Sequence, residues 1–339
     1  MTGINKENSK VFLLTLLGML SAFGPFVTDM YLPSLPAMAD YFSASLPMVQ
    51  MGLTTSMIGL ALGQIFFGPL SDKYGRRPLF LVLMVLFIVS TLLCLFAPDI
   101  YSFVTLRLIQ GVAGAGGIVI SRSVATDKFS GKELAKMLAV IGAINGVAPV
   151  AAPVIGGLLT GSVGWQGIFM ILLFIGILLG IGCIRFKESL PTEKRSKTGV
   201  FATFRSFGII VHNRRYMLYV LQLAFAQGIL FAYIASSPFI IQQHYGFSPF
   251  AFSICFAVNA VAIGVAAAIS VKFRRTENGT LTGCIGMLVF AILQMAALYS
   301  GCGFWTYELL MFALLFMMGL TFTASTLSLI HISEPTRPY

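Results

Sequence analysis

The sequence predicts an all-α membrane protein of about ten crossings, a complete six-helix half followed by an incomplete second half. Three observations carry this. The 339 residues are 57% hydrophobic and only 10% charged, where a soluble globular protein has about 25% charged residues, so most of the surface cannot face water. The apolar residues fall into ten runs close to the ~20 residues that cross a hydrocarbon core as a helix. The basic residues collect between alternate runs, which is how topology is written in membrane proteins.

The polar opening MTGINKENSK precedes the first run with no small-residue cleavage site after it, so that run reads as a retained helix rather than a signal peptide. The runs lie at 11–32, 48–67, 79–97, 101–121, 137–160, 165–184, 216–236, 250–271, 280–300 and 305–326. They are continuously apolar rather than alternating, which excludes a β-barrel. With the N-terminus in the cytoplasm, every Lys and Arg except Arg107, inside a span, and Arg337, in the tail, falls in an inside segment, while Asp40 and Asp99 fall outside. Trp165 and Trp305 open spans on the outer side, where an aromatic belt is expected. The formal net charge of +10 is distributed as topology signals and not as a nucleic-acid face. Cys94, Cys183, Cys255, Cys284 and Cys302 are scattered singly, and His212 and His244 sit near span ends, so no metal site or disulfide framework is expected.

The longest polar stretch, about 188–199, divides the chain into an N-terminal six-helix bundle (1–187), a cytoplasmic linker (188–215) and a shorter C-terminal bundle (216–326). The loop SDKYGRRP after the second run has a faint echo, KFRRTENG, after the eighth, as expected for a fold built from repeats. The tail 327–339, LSLIHISEPTRPY, reads like the in-frame translation of a sequencing-library adapter and is set aside from fold reasoning.

The sharpest motif is Gly68-Pro69-Leu70-Ser71-Asp72-Lys73-Tyr74-Gly75-Arg76-Arg77. Gly68 permits close helix approach, Asp72 can accept hydrogen bonds at a positive helix N-terminus, and Arg76 and Arg77 can pair with acids or lipid phosphates. In the fourth span, Arg107-Leu108-Ile109-Gln110-Gly111 places an arginine roughly 9 Å below the outer helix end, where a charge is a functional hypothesis by default. The first span holds one acid, Asp29, roughly 5 Å from its outer end. Pairing of the two, or alternate occupancy by a proton, is the chemistry such an arrangement supports. The competing readings are an interfacial acid for Asp29 and a snorkelling side chain for Arg107. The fifth span carries Gly142, Gly146, Pro149, Pro153, Gly156 and Gly157, a composition for tight helix contact with a bend.

These motifs resemble the GxxxDxxGRR, RxxQG and antiporter motifs of the major facilitator superfamily, with Ala148 replacing the usual glycine before Pro149. With the outer end of the first helix, TDMYLPSLP, the chain is similar to the Bcr/CflA, bicyclomycin-resistance type of drug:proton antiporter over about 11–326. Full members have twelve helices, so the resemblance implies a chain truncated after about ten. It further implies proton coupling at Asp29 and Arg107, a gating loop at Gly68, Asp72, Gly75, Arg76 and Arg77, and an antiporter-motif helix at the fifth-span glycines and prolines. Asp29, Arg107, Gln110, Gln222, Gln227 and Tyr233 would line a substrate cavity, Asn259 reads as an interhelical hydrogen-bond partner, and Glu308 as an interfacial acid.

The function expected is export of small amphipathic compounds across the bacterial inner membrane by a monomer in the lipid bilayer. The proton gradient drives it, with no cofactor and no GxxxxGK[ST] loop for ATP. An uptake symporter or metabolite exporter of the same fold, or a nonfunctional fragment, is the alternative. A membrane enzyme would need convergent acid, histidine or cysteine groups, and beyond Asp29 and Arg107 the sequence offers none.

Overall fold

The structure, a computed structural model, describes residues 8–196, 212–270, 273 and 276–333. Three residues of the KFRRTENG echo, Lys272, Arg274 and Arg275, fall outside these residues, as do Lys6, Lys197, Arg205 and Arg337. The chain forms two compact units, 1–203 and 204–339, divided within the expected linker.

In the first unit, α1 (Lys10–Asp29) begins where the Ser9 side chain accepts from the Phe12 amide at 3.2 Å. It ends before Pro33, which has no N–H to bond the Asp29 carbonyl. A 3-10 turn (Leu32–Ser34) and the short α2 (Leu35–Tyr41) lead into α3 (Leu46–Tyr74), α4 (Arg76–Leu95) and α5 (Ile100–Lys128). Asp99 caps α5 by accepting from the Ser102 amide at 2.8 Å. Helix α6 (Gly131–Arg185) is 55 residues long and breaks at Gly164, whose φ of +63° a side chain would resist. Nine described helices are long and apolar enough to cross a membrane, and the break divides α6 into two crossings, which matches the ten runs.

Helices α3 and α5, each 29 residues and therefore about 44 Å long, outlast their apolar runs at the basic end. Those polar turns carry Asp72 and Asp127. Helix α5 is the hub of the unit, lying against α1, α3 and α4, while α6 lies against α1 and α4. Helices α3 and α5 approach backbone to backbone: a Cβ on Gly111 would run into the Ser56 carbonyl, and one on Gly63 would sit 2.8 Å from the Val112 carbonyl.

Several expectations are corrected here. Gly68 is not a close-approach glycine, because its nearest neighbour, Val119, would be at an ordinary 3.8 Å from a Cβ there; Gly63 and Gly59, five and nine residues earlier, take that role. A Cβ at Gly142 or Gly146 would meet nothing within 4 Å among the described residues, since α6 turns its 141, 148 and 152 face inward, whereas one at Gly156 would meet the Met30 carbonyl. The helix runs through Pro149 and Pro153, and its non-helical residue is Gly164, in the gap between the fifth and sixth runs. Trp165 is no belt residue: it is 4% exposed and packs edge-on against Tyr41, Phe103 and Phe169, whereas Trp305 is 81% exposed.

In the second unit, α7 (Arg214–Phe239) ends in a π-helical turn (Ile240–His244), followed by α8 (Pro249–Ser270), α9 (Thr276–Tyr299) and α10 (Phe304–Ser333). Helix α10 lies against α7, α8 and α9, so the fourth crossing is the hub of this unit as it is of the first. It continues to Ser333, past the expected end at 326 and into the tail set aside above.

Candidate functional site

Asp29, Arg107 and Gln110 gather at the end of the first unit opposite the basic loops. Arg107 is fully buried (0% exposed) and Asp29 nearly so (6%), so neither snorkelling nor an interfacial acid describes them. The last four carbonyls of a helix lack intrahelical partners and carry negative partial charge, and Val27 supplies one of them at the end of α1. Arg107 Nη2 donates to it at 3.1 Å, while Nε donates to the Gly52 carbonyl at 3.4 Å and Nη1 to Gln110 Oε1. The guanidinium lies 4.4 Å from the Tyr31 ring centre and 5.7 Å from that of Phe169. Gln110 passes the connection on, donating to Thr91 Oγ1 of α4 at 2.7 Å.

The direct charge pair expected from sequence is therefore an indirect one. Among the described residues the guanidinium bonds the α1 backbone two residues before Asp29 and stacks on the ring two residues after it. Arg107 grips the turn that carries the carboxylate. Thr28, on the same turn, bonds back to the Gly24 and Pro25 carbonyls. Sequence reasoning missed Tyr31, Phe169 and Thr91 as members. Only Tyr31 had a signal, its place inside TDMYLP.

At the basic end, Gly75 separates α3 from α4 with φ +103° and ψ 158°. Arg76 is buried and bridges Asp72 at 2.6 Å and Asp127 at 3.0 Å, with Ser71 Oγ at 2.5 Å. Glu188 meets the positive N-terminus of α4: it accepts from the Arg76 and Arg77 amides at 3.0 and 3.2 Å. Arg195 lies 3.7 Å from the same carboxylate, and the Ser196 amide donates to the Asp72 carbonyl at 2.9 Å. The start of the expected linker is thus strapped onto the GRR loop. Arg77 donates to the Ile184 carbonyl at 2.9 Å rather than to an acid.

In the second unit the expected residues separate. Gln222 donates to Cys284 Sγ at 3.6 Å and accepts from Ser325 Oγ at 2.5 Å, tying α7 to α9 and α10 beside an apolar cleft of about 530 Å³. Tyr233 lies eleven residues on, roughly 16 Å along α7, where Asn259 Nδ2 donates to its hydroxyl at 3.0 Å. Gln227 is half-buried between them in sequence and its Oε1 finds no partner among the described residues. Glu308, expected as an interfacial acid, is half-buried near the start of α10: Asn259 Nδ2 also donates to its Oε1, at 2.9 Å, and its Oε2 is buried.

An all-helical bundle with repeated four-helix packing and these motifs is matched by known proteins. Residues 13–337 match the profile of the Major Facilitator Superfamily. An uncharacterized MFS-type transporter, YdgK, of Bacillus subtilis is 41% identical over 257 residues, 75% of this chain and 64% of the relative, so the match spans a little under two thirds of that protein. A bicyclomycin resistance protein homolog of Haemophilus influenzae is 30% identical over 272 residues, 80% of this chain and 68% of the relative. The crystal structure of a bacterial homolog to the human lysosomal transporter Spinster, inward-facing and unoccupied, shares the fold with a TM-score of 0.74 at 19% identity, covering 96% of this chain and 79% of the other. From the motif residues to the packing and these matches, the chain belongs to the major facilitator superfamily, in its Bcr/CflA branch.

Proposed function

We propose that the chain works as a proton-driven exporter of small amphipathic compounds across the bacterial cytoplasmic membrane, with its N-terminus and GRR loop in the cytoplasm. The relative named for bicyclomycin resistance supports this class of cargo. In the proposed cycle Asp29 takes up and releases the proton, and Arg107 responds to its charge. The observation that carries the reading is the fully buried Arg107 guanidinium bonded to the carbonyl of Val27, two residues from Asp29. A change of charge at Asp29 alters the field on a guanidinium that also reaches α3 through Gly52 and α4 through Gln110 and Thr91. Proton release is thereby linked to three helices at once. Asp72, Arg76 and Arg77, braced by Asp127 and Glu188, govern closure of the cytoplasmic side.

The driving force suffices without ATP. One charge crossing 100 mV releases about 2.3 kcal/mol, and each tenfold proton gradient adds about 1.4 kcal/mol. Together these sustain a cargo gradient of roughly 500-fold for a neutral compound.

The test is efflux in inverted vesicles energised by an acid interior. The wild type accumulates ethidium on acidification, whereas an uptake symporter does not. Asp29→Asn remains in the membrane and loses the pH-driven component. Undiminished accumulation by that variant removes Asp29 from the mechanism.

A further inference from the structure

A buried cation and a buried carboxylate on neighbouring turns attract each other strongly in a low-dielectric interior, so the indirect arrangement of Arg107 and Asp29 needs a cause. The N–H groups of Arg107 are turned to neutral acceptors, the Val27 and Gly52 carbonyls and Gln110 Oε1. Neutral acceptors alone would exchange readily for an anion, because a charge-assisted hydrogen bond is about twice as strong. The rings supply the missing constraint. The guanidinium lies 4.4 Å from the Tyr31 ring centre and 5.7 Å from that of Phe169, and the two rings meet edge-on at 5.8 Å. Both rings are fully buried, and Phe169 is braced in turn by Phe103 at 5.5 Å and Trp165 at 5.9 Å. A desolvated cation gains most from a ring face, and a guanidinium that left this seat for Asp29 would forfeit that attraction. Few other groups bear on the carboxyl. The sequence holds no titratable side chain at 11–28 in α1, 46–71 in α3 or 137–182 in α6. Around them α5 adds Arg107 and the exposed Tyr101, α2 the exposed Asp40 and Tyr41, and α4 Cys94, within electrostatic reach of Arg107 and Tyr31.

We propose that Tyr31, supported by Phe169, is a positioning residue that holds the Arg107 guanidinium off a direct ion pair with Asp29, so that the carboxylate stays free to take up a proton. An opposite charge in contact favours the ionised carboxylate, and a proton carrier locked in such a pair would not reload. The inference deepens the proton-coupled reading above and rests on it for its physiological meaning. The seat itself is a matter of Tyr31, Phe169 and Arg107 and is measurable without transport.

The experiment follows the infrared carbonyl stretch of the protonated Asp29 carboxyl against pH in the purified full chain in detergent micelles, the band being the one lost in Asp29→Asn. Thermal unfolding checks folding. Tyr31→Leu keeps an apolar side chain but removes the ring face; the guanidinium turns to the carboxylate, and the Asp29 midpoint falls by about one pH unit or more. Tyr31→Phe restores the ring and with it the wild-type midpoint. Phe169→Leu lowers the midpoint by less than Tyr31→Leu, and its midpoint decides the matter should Tyr31→Leu fail to fold. A purely packing role for Tyr31 lowers the unfolding temperature of Tyr31→Leu and leaves the Asp29 midpoint in place, which overturns the proposal. Equal falls in Tyr31→Phe and Tyr31→Leu overturn it too. An unmoved midpoint together with intact pH-driven efflux removes the seat alone. The expected shifts, in a chain whose Asp29→Asn variant still exports undiminished, overturn the transport reading and leave the seat standing. No titrating Asp29 band in the wild type overturns both.

Discussion

Arg107 Nη2 lies 3.1 Å from the carbonyl oxygen of Val27, so a fully buried cation on α5 closes the end of α1 at the turn that carries Asp29. The guanidinium serves three acceptors in different directions, Val27, Gly52 and Gln110, with the Tyr31 ring beneath it. An ammonium group is a point donor without that fork. Arg107→Lys therefore leaves buried acceptors unbonded and costs roughly 2–4 kcal/mol of unfolding free energy. Denaturant unfolding of the purified chain in micelles measures this, and a wild-type midpoint for Arg107→Lys contradicts the assigned geometry.

Gly75 and Glu188 depend on each other. The φ and ψ of Gly75 belong to a region open essentially to glycine alone, and a Cβ there would stand 2.6 Å from Glu188 Oε2. Gly75→Ala costs about 1–3 kcal/mol in backbone strain and displaces the carboxylate from the Arg76 and Arg77 amides. Glu188→Ala alone removes that helix cap at about 1 kcal/mol. In the double variant the two costs fall short of their sum, because the first substitution has already disturbed the cap. A double-mutant cycle by thermal unfolding checks it: strict additivity separates Glu188 from the loop.

The crossings were legible in the sequence because each is a continuous apolar run and the loop charges fix the alternation. Even the break at Gly164 lies in a gap between two runs. The motif positions Arg107, Asp72 and Arg76 also announced themselves, since a charge at a helix end or within a span has few bland explanations. Their partners did not. Asp127 and Glu188 are 51 and 112 residues from Arg76, and nothing local marks an acid in a basic loop as the one that will cap α4. Arg107 was expected to seek a side-chain charge, yet its partner at Val27 is a backbone carbonyl, which no residue-type pattern reveals. Glu308 lies near a span end, where exposure is the ordinary outcome, and its bond to Asn259 across the unit leaves it half-buried.

The glycines divide in the same way, and the division can be measured. Composition treats Gly111, Gly142, Gly146 and Gly156 alike, as small residues on crossing helices. Packing separates them: a methyl group at Gly111 meets the Ser56 carbonyl and one at Gly156 meets the Met30 carbonyl, while one at Gly142 or Gly146 meets nothing within 4 Å among the described residues. A backbone carbonyl cannot rotate aside as a side chain can, so the helices must separate. Overpacking of this kind costs about 1–3 kcal/mol. Gly111→Ala and Gly156→Ala are each expected to lower the unfolding free energy by that amount. Gly142→Ala and Gly146→Ala meet no obstacle and replace the poorest non-proline helix former with the best, a gain of up to about 1 kcal/mol. Unfolding of the four single variants, side by side in one detergent, distinguishes the two classes. Equal effects at all four positions would show that α5 and α6 do not approach their neighbours through Gly111 and Gly156.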